Sequence, residues 1–504
     1  GMFGVAIADF TNNRLVLARD PFGQKPLYLW HGPYGWVFAS ELKALTRAQG
    51  FSKRVNSNAL AAFLEFRYVP APLSIFDGVR KLQPGSVCTI QGAEEPRERR
   101  YFQLNLGPES VGRLHDPDGS LTRDALMPPV DRHLMSERPL GVFLSGGADS
   151  SAIVACMHMN GHRDIRTFTV GFKDFHDNEL GTGALVAQHF KTTHSEVLLD
   201  AETFWQTMDE VVYAADEPLA DLTTVPLFHL SKLARRDVTV VLSGEGADEL
   251  LAGYNDFHLV RSQAELRGRL RPFAPVARML RSLPMSVALR RKLETVCDSE
   301  ADYLARTQAS ATSVFSNDFR QRYCEESVRR SAVLEPLEQY YRQRESWDGV
   351  HLSMGCMVEW WLPDDLLHKA DRMTMANSIE SRCPFLDLEF ARHCASLSLD
   401  SKVTTSKLEP NRKRALKLAF MNHLPAGLVV RKKRGFSIPA YEWLRTAYKE
   451  RASQEMMRND ALGSSLVPDA VRHEMLQQAL AGSLADQRRI WSLLVLNKWG
   501  DVWL

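Results

Sequence analysis

Two stretches well apart in the chain carry the same arrangement of chemically useful residues. The first is Pro139-Leu140-Gly141-Val142-Phe143-Leu144-Ser145-Gly146-Gly147-Ala148-Asp149-Ser150-Ser151. It predicts a buried strand, a sharp glycine turn, and a helix beginning near Ser150. Consecutive glycines let the backbone turn its N–H groups inward, and a helix start adds partial positive charge, so the turn can cradle an anion. Asp149 inside such a cradle repels a phosphate; it makes chemical sense if a divalent cation sits between the two. Taken alone, this stretch also reads as an ordinary strand-to-helix turn. The second stretch, Val240-Val241-Leu242-Ser243-Gly244-Glu245-Gly246-Ala247-Asp248-Glu249-Leu250, echoes the first. In a parallel sheet two such strand ends can lie side by side, which would set Asp149 and Asp248 across one cleft as Mg2+ ligands. An exposed acidic loop is the alternative.

Three further clusters carry charge. Asp216-Glu217-Pro218-Leu219-Ala220-Asp221 reads equally as a metal or substrate ligand set and as a capped helix start. Leu366-Leu367-His368-Lys369-Ala370-Asp371-Arg372 leads on to Glu380-Ser381-Arg382-Cys383-Pro384-Phe385-Leu386-Asp387, where Glu380 and Arg382 are expected to form a buried ion pair. In Arg431-Lys432-Lys433-Arg434-Gly435-Phe436-Ser437-Ile438-Pro439 a lysine could reach a polyphosphate, although spacing alone favours a solvated basic run.

The elements that must position these residues follow from periodicity. Apolar runs at 140–144, 165–170, 195–199 and 238–242 alternate with helical patterns such as 180–190 and 227–235. Strands alternating with helices imply βαβ units and a doubly wound parallel sheet, whose ligands sit at the carboxyl ends of the strands. Residues 1 to about 100 are instead β-rich, with short apolar runs separated by Asn12-Asn13, Phe22-Gly23-Gln24 and Gly32-Pro33-Tyr34-Gly35. The very apolar start, Met2-Phe3, wants neighbouring strands and cover, so this β layer is expected to be incomplete as written. Residues 103–125 are turn-rich and make the clearest linker, and Met127-Pro128-Pro129 is expected to interrupt any helix there. Beyond about 255 the chain is mainly helical, and the arginine-rich 261–292 reads as amphipathic helices with a solvated basic face.

Composition excludes several function classes. At 504 residues two or three domains are expected, and 44% apolar with 24% charged content is that of a globular soluble protein. A net charge of +1 offers no nucleic-acid or membrane surface, and no apolar run approaches the ~18 residues that span a bilayer. Seven cysteines without CxxC pairing argue against zinc or a disulfide framework and fit a reducing cytoplasm.

Taken together, these motifs resemble those of glutamine-dependent asparagine synthetases and their relatives, the β-lactam synthetases and lasso-peptide cyclases. The resemblance rests on Ser145–Ser151, Asp216-Glu217-Pro218, Ser243–Glu249, Lys369–Arg372, Glu380–Asp387 and Arg431–Pro439, and upstream on Ala18-Arg19-Asp20, Lys25–Tyr28, Phe38–Glu41 and Leu82–Gly85. It covers nearly the whole chain and is weakest at about 103–130 and 260–345. It implies a truncated class-II, N-terminal-nucleophile amidotransferase layer (1–102), the linker (103–125), and an ATP-pyrophosphatase domain of the adenine nucleotide α-hydrolase type with a helical C-terminal part (126–504). It also implies an ATP- and Mg2+-dependent ligase that turns aspartate or a related carboxylate into an acyl-adenylate, then an amide, with nitrogen from ammonia or glutamine. On this resemblance Ser145, Gly146, Gly147 and Ser150 hold pyrophosphate, Asp149 and Asp248 anchor Mg2+, and Leu144, Val170, Ser243 and Gly244 line the adenosine pocket. Glu245 and Lys433 are then the catalytic residues, which reverses the solvated reading of the basic run. The resemblance allows a homodimer and no nucleic-acid or membrane partner.

Some departures bear on this. Relatives begin with a nucleophilic cysteine, whereas the first cysteine here is Cys88, so no residue is assigned as glutaminase nucleophile and the chain as written is expected to use ammonia. Asn178 replaces a common acidic residue before Glu179, and Glu137 stands for a usual aspartate. A β-lactam or lasso-peptide type cyclase, or a tRNA-modifying adenylation enzyme, would use the same loop; the latter would want a basic RNA face.

Overall fold

The computed structural model describes residues 1–92, 94–281, 297, 299, 304, 314–329, 334–406, 410–428 and 438–504. The first hundred residues form strands β1 (Gly4–Asp9), β2 (Arg14–Arg19), β3 (Tyr28–Gly32), β4 (Gly35–Ala39), β5 (Val79–Lys81), β6 (Ser86–Gln91) and β7 (Arg97–Arg100). They pair antiparallel in two sheets, ordered β1-β2-β6-β7 and β4-β3-β5. Alternation decides which side chains turn inward: Leu17 of β2, Leu29 of β3 and Cys88 and Ile90 of β6 join Leu27 and Leu82 in a small core of their own. β1 lies at a sheet edge, with Ile7 57% and the following Phe10 91% exposed. A helix at Ser57–Phe66, capped by the Asn56 side chain accepting from the N–H groups of Asn58 and Ala59, packs into the main core through Phe63, Leu64 and Phe66.

The second sheet system is parallel throughout. Strands β8 (Leu140–Phe143), β9 (Arg166–Phe172), β10 (Thr193–Leu199), β11 (Val240–Leu242) and β12 (Glu380–Arg382) lie in the order β10-β9-β8-β11-β12. Gly141-Val142-Phe143 and Val240-Val241-Leu242 are buried, as befits central strands of a sheet covered on both faces. Strand order reverses between β8 and β11, and that is where an open α/β sheet leaves its ligand crevice. The fold is therefore the anticipated α/β architecture, antiparallel layers followed by a doubly wound sheet and a helical C-terminal part.

One local expectation is overturned, and one element had no signal in the sequence. Pro128 and Pro129 do not break the chain direction: one helix runs through them from Ser120 to His133, starting inside the stretch read as linker. Its buried face, Thr122, Leu126, Pro129 and Val130, gains enough from packing to offset the ~3 kcal/mol that an interior proline costs. Glu380–Arg382 forms a strand, with no apolar alternation to announce it, because β11 offers a free edge for parallel pairing. The helix Gly349–Cys356 passes into Met357–Leu367, which winds with the wider π-type turn, and then into His368–Met375. Such widened turns concentrate at functional sites. Of the predicted basic helical region, Asn255–Leu270 and Ala274–Arg281 are helices, and 282–292 lies outside the described residues.

Candidate active site

At the carboxyl ends of β8, β9 and β11 lies a cavity of about 660 Å³. Its lining includes Leu144, Ser145, Gly146, Gly147, Asp149, Ser150, Val170, Ser243, Gly244, Glu245 and Asp248, all the predicted site residues except Lys433. Lys433 and the rest of 429–437 lie outside the described residues.

The first turn is built for close approach. Gly146 has φ +73°, and a Cβ there would sit 2.6 Å from the Thr182 backbone. Ser145 and Ser150 brace the loop: their hydroxyls are 3.2 Å apart, and the Gly147 N–H donates to Ser145 Oγ at 3.2 Å. The helix Ala148–Met159 then starts under the loop with Asp149 in its first turn. The second turn meets the first directly, since a Cβ on Gly244 would lie 3.0 Å from Asp149 Cβ.

Asp149 and Asp248 do converge, and they converge on a lysine. Lys413 Nζ donates to both Asp149 carboxylate oxygens at 2.6 Å and pairs with Asp248 Oδ1 at 2.7 Å. Burial would depress this ammonium, but the two carboxylates outweigh it and hold Lys413 protonated. Nothing in the sequence flagged Lys413 or its neighbours Arg412 and Lys417, which also line the cavity. The one available signal was an i, i+4 lysine pair at the start of a short apolar helix, Arg414–Phe420. Asp149 and Asp248 fit a hydrated divalent cation: their oxygens already share one cation position, and Mg2+ keeps waters and takes substrate phosphates as its other ligands. Among the described residues no group of three or more His, Cys, Asp or Glu side chains forms a self-sufficient metal site.

The far side of the cavity is acidic around a single lysine. Lys369 Nζ bonds Asp221 Oδ2 at 2.8 Å. Burial alone would raise the Asp221 carboxyl, but Lys369 beside it holds it down at about 2. Glu245 is pushed upward by burial, with Lys369 opposing and Asp221, Asp248 and Asp149 adding to the rise. Glu249, buried behind Asp248, rises to about 7 from burial first and Asp248 second, and it accepts from the Tyr254 hydroxyl. A carboxyl with a raised pKa near neutrality is suited to proton transfer.

The 216–221 cluster is corrected in part. Asp216 and Glu217 belong neither to a metal site nor to a helix start: they are buried against Lys43 (2.7 Å) and Lys81 (2.5 Å) of the antiparallel layer. Asp221 alone reaches the cavity, and its Oδ1 also caps the turn at Thr223. Glu380 and Arg382 pair at 2.6 Å, but the pair is not buried, because Glu380 is 43% exposed at the side chain. Asn178 accepts from the Phe172 N–H and donates to the Phe172 and Phe175 carbonyls, so its amide closes a loop that an acid could not.

Fold and site together define an α/β protein with two glycine turns facing one cavity at the switch point of a doubly wound sheet. Comparison with known proteins narrows this. Residues 121–501 match the family model described as asparagine synthase, and residues 1–102 match a glutamine amidotransferase domain. A Bacillus subtilis protein named asparagine synthetase [glutamine-hydrolyzing] 1 is 30% identical over 513 residues, covering all of this chain and 77% of the relative. A Mycobacterium tuberculosis protein provisionally given the same activity is 32% identical over 517 residues, with the same coverage. The Gallus gallus asparagine synthetase [glutamine-hydrolyzing] is 30% identical over 284 residues, 53% of this chain and 48% of the relative. The chain belongs to the asparagine synthase family of carbon–nitrogen ligases. Among the described residues no helix is long and apolar enough to cross a membrane.

Proposed function

We propose that this chain makes asparagine from aspartate with ATP. Activation proceeds through an acyl-adenylate: a carboxylate oxygen of aspartate attacks the α-phosphorus, pyrophosphate leaves, and ammonia then displaces AMP at the acyl carbon. The observation that carries this reading is the meeting of the two glycine turns over Asp149, Asp248 and Lys413 in one cavity at the switch point. Backbone N–H groups of Ser145–Gly147 hold the pyrophosphate, with Ser150 bracing the loop, while Leu144, Val170, Ser243 and Gly244 border the adenosine. Mg2+ would be held by Asp149 and Asp248, where it offsets charge on the departing pyrophosphate. Glu245, half-buried and with a raised carboxyl, receives a proton from the attacking amine. Lys433 supplies positive charge to the leaving group. Residues 1–102 serve as the amidotransferase layer, 103–125 as the linker and 126–504 as the synthetase, with glutamine as a nitrogen source. Seven unpaired thiols support a reducing, cytoplasmic setting.

The test is exchange of labelled pyrophosphate into ATP in the presence of aspartate and Mg2+ without any amine. Exchange that needs aspartate, and that falls at least about a hundredfold in Asp149→Ala, is the expected result. Absence of exchange with aspartate and with related carboxylates would overturn it.

A further inference from the structure

Beside the cavity, the residues 361, 365 and 369 recur along one side of the widened helix and its continuation. Trp361 and Lys369 line the cavity, and Asp365 lies between them in sequence, next to the lining residue Leu366. Asp365 is 3% exposed, and its Oδ1 has no hydrogen-bond partner among the described residues. The indole N–H of Trp361 is buried and equally unmatched, while the Arg67 guanidinium sits 5.9 Å from the Trp361 ring. Among the described residues, the charges that act most strongly on Asp365 are those of Asp221, Lys369, Arg67 and Glu245. Burial first, then Asp221, raises the Asp365 carboxyl to about 7, against Lys369 and Arg67.

The arrangement carries a surplus of acid. Lys369 is committed to Asp221 at 2.8 Å, and Arg67 is engaged with the Trp361 ring. Glu245, half-buried, and Asp365, buried, are then two carboxyls to which no cation is bonded among the described residues. Native structures seldom leave a buried carboxylate oxygen unmatched, because its lost hydration is then not replaced. A small cation with several donors would satisfy both carboxyls at once and keep them ionised.

We propose that Asp365, with Glu245 and Asp221, forms a subsite for a primary ammonium group, Asp365 being the residue that bonds it. This rests on the ligase reading above, and two reactants of that reaction bear such a group. They are the ammonium ion that supplies the nucleophile and the amino-acid substrate, through its α-ammonium.

The 504-residue chain and its Asp365→Asn and Trp361→Phe variants test it in two measurements. Pyrophosphate exchange is followed against aspartate and against ATP, and amide formation is followed against ammonium chloride from pH 6.5 to 9. Asp365→Asn should raise the KM for one ammonium-bearing reactant about tenfold or more, as expected for losing a hydrogen bond to a charge. Its KM for ATP in the exchange reaction should stay within about twofold of the parent value. A rise confined to aspartate assigns the subsite to the α-ammonium, and a rise confined to ammonium chloride assigns it to the nucleophile. In the second case hydroxylamine, a weaker base already neutral at pH 8, should remain a good nucleophile for the variant. Trp361→Phe keeps the ring under Arg67 and should shift the same KM by a smaller factor. Unchanged KM values for both reactants would overturn the proposal, as would a parallel rise for ATP, the mark of a structural lesion. If the parent chain shows no exchange with any carboxylate, the ligase reading falls by itself. Calorimetric titration with ammonium chloride against potassium chloride then decides the subsite, with heat expected from the parent and none from Asp365→Asn.

Discussion

Lys413 and the two aspartates it joins set the electrostatics of one side of the cavity. With Nζ 2.6–2.7 Å from Asp149 and Asp248, the lysine holds two like charges in one place. Replacing it by methionine leaves the carboxylates facing each other. Because both look into a wet cavity, the loss should sit near the low end for a broken buried pair, about 3 kcal/mol. Lys413→Met should therefore melt at a lower temperature than the parent, and Mg2+ should recover more of the loss than it adds to the parent. Equal magnesium responses in the two proteins would defeat the assignment of Asp149 and Asp248 to one cation position. The aspartates were legible because each follows an apolar strand and a glycine turn within a few residues. Lys413 was not: its contact with Asp149 spans 264 residues of sequence, and no local pattern ties them. Asp365 was hidden for a similar reason, since its character comes from burial among other charges rather than from spacing.

Elements whose side chains do not line the cavity also carry buried charge. The helix Gly349–Cys356 places His351 against Lys402 at the end of Leu399–Lys402: Lys402 Nζ donates to His351 Nε2 at 2.8 Å, and His351 Nδ1 donates to Asp348. Burial lowers Lys402 to about 8, with Cys394 and Asp348 opposing. The unfolded chain holds this proton up to about pH 10.4. Between pH 8 and 10.4 the unfolded state thus binds more protons, so folding stability from this group rises with pH there and is flat below. Relative to Lys402→Met, the parent should gain about 2 kcal/mol between pH 7.5 and 9.5 in denaturant unfolding. A difference that does not change with pH would show that the lysine is not depressed. No motif pointed to this trio, whereas the parallel strands were legible because central strands must be apolar on both faces. The short strand β12 and the proline-bearing helix Ser120–His133 escaped notice because neighbours, not propensity, decided them.

On the scale of the whole molecule, the antiparallel layer and the parallel-sheet body are joined by crossed charges. Lys25 pairs with Asp371 at 2.7 Å, Lys43 with Asp216 at 2.7 Å, and Lys81 with Glu217 at 2.5 Å, while Arg372 reaches back to Glu41 at 3.2 Å. The acids of the body sit beside cavity residues in sequence: Glu217 precedes Asp221, and Asp371 follows Lys369. These contacts differ in depth. Lys81 and Glu217 are each 3% exposed at the side chain, whereas Lys25 is 23% exposed. Even beside Lys81, burial keeps the Glu217 carboxyl raised, so without the lysine it will take up a proton rather than stay charged. Lys81→Met should accordingly cost about 3–5 kcal/mol above neutral pH, and the loss should shrink as pH falls and Glu217 protonates. Lys25→Met, with its ammonium partly in water and Asp371 still held by Arg372, should cost about 1 kcal/mol or less. Salt at about 1 M should leave the Lys81→Met loss largely in place and erase most of the Lys25→Met loss, since only exposed pairs are screened. Denaturant unfolding of the two variants at low and high salt measures both effects. A larger loss from Lys25→Met, or a Lys81→Met loss that salt abolishes, would mean that the two layers are held together by their apolar contacts and not by this buried pairing.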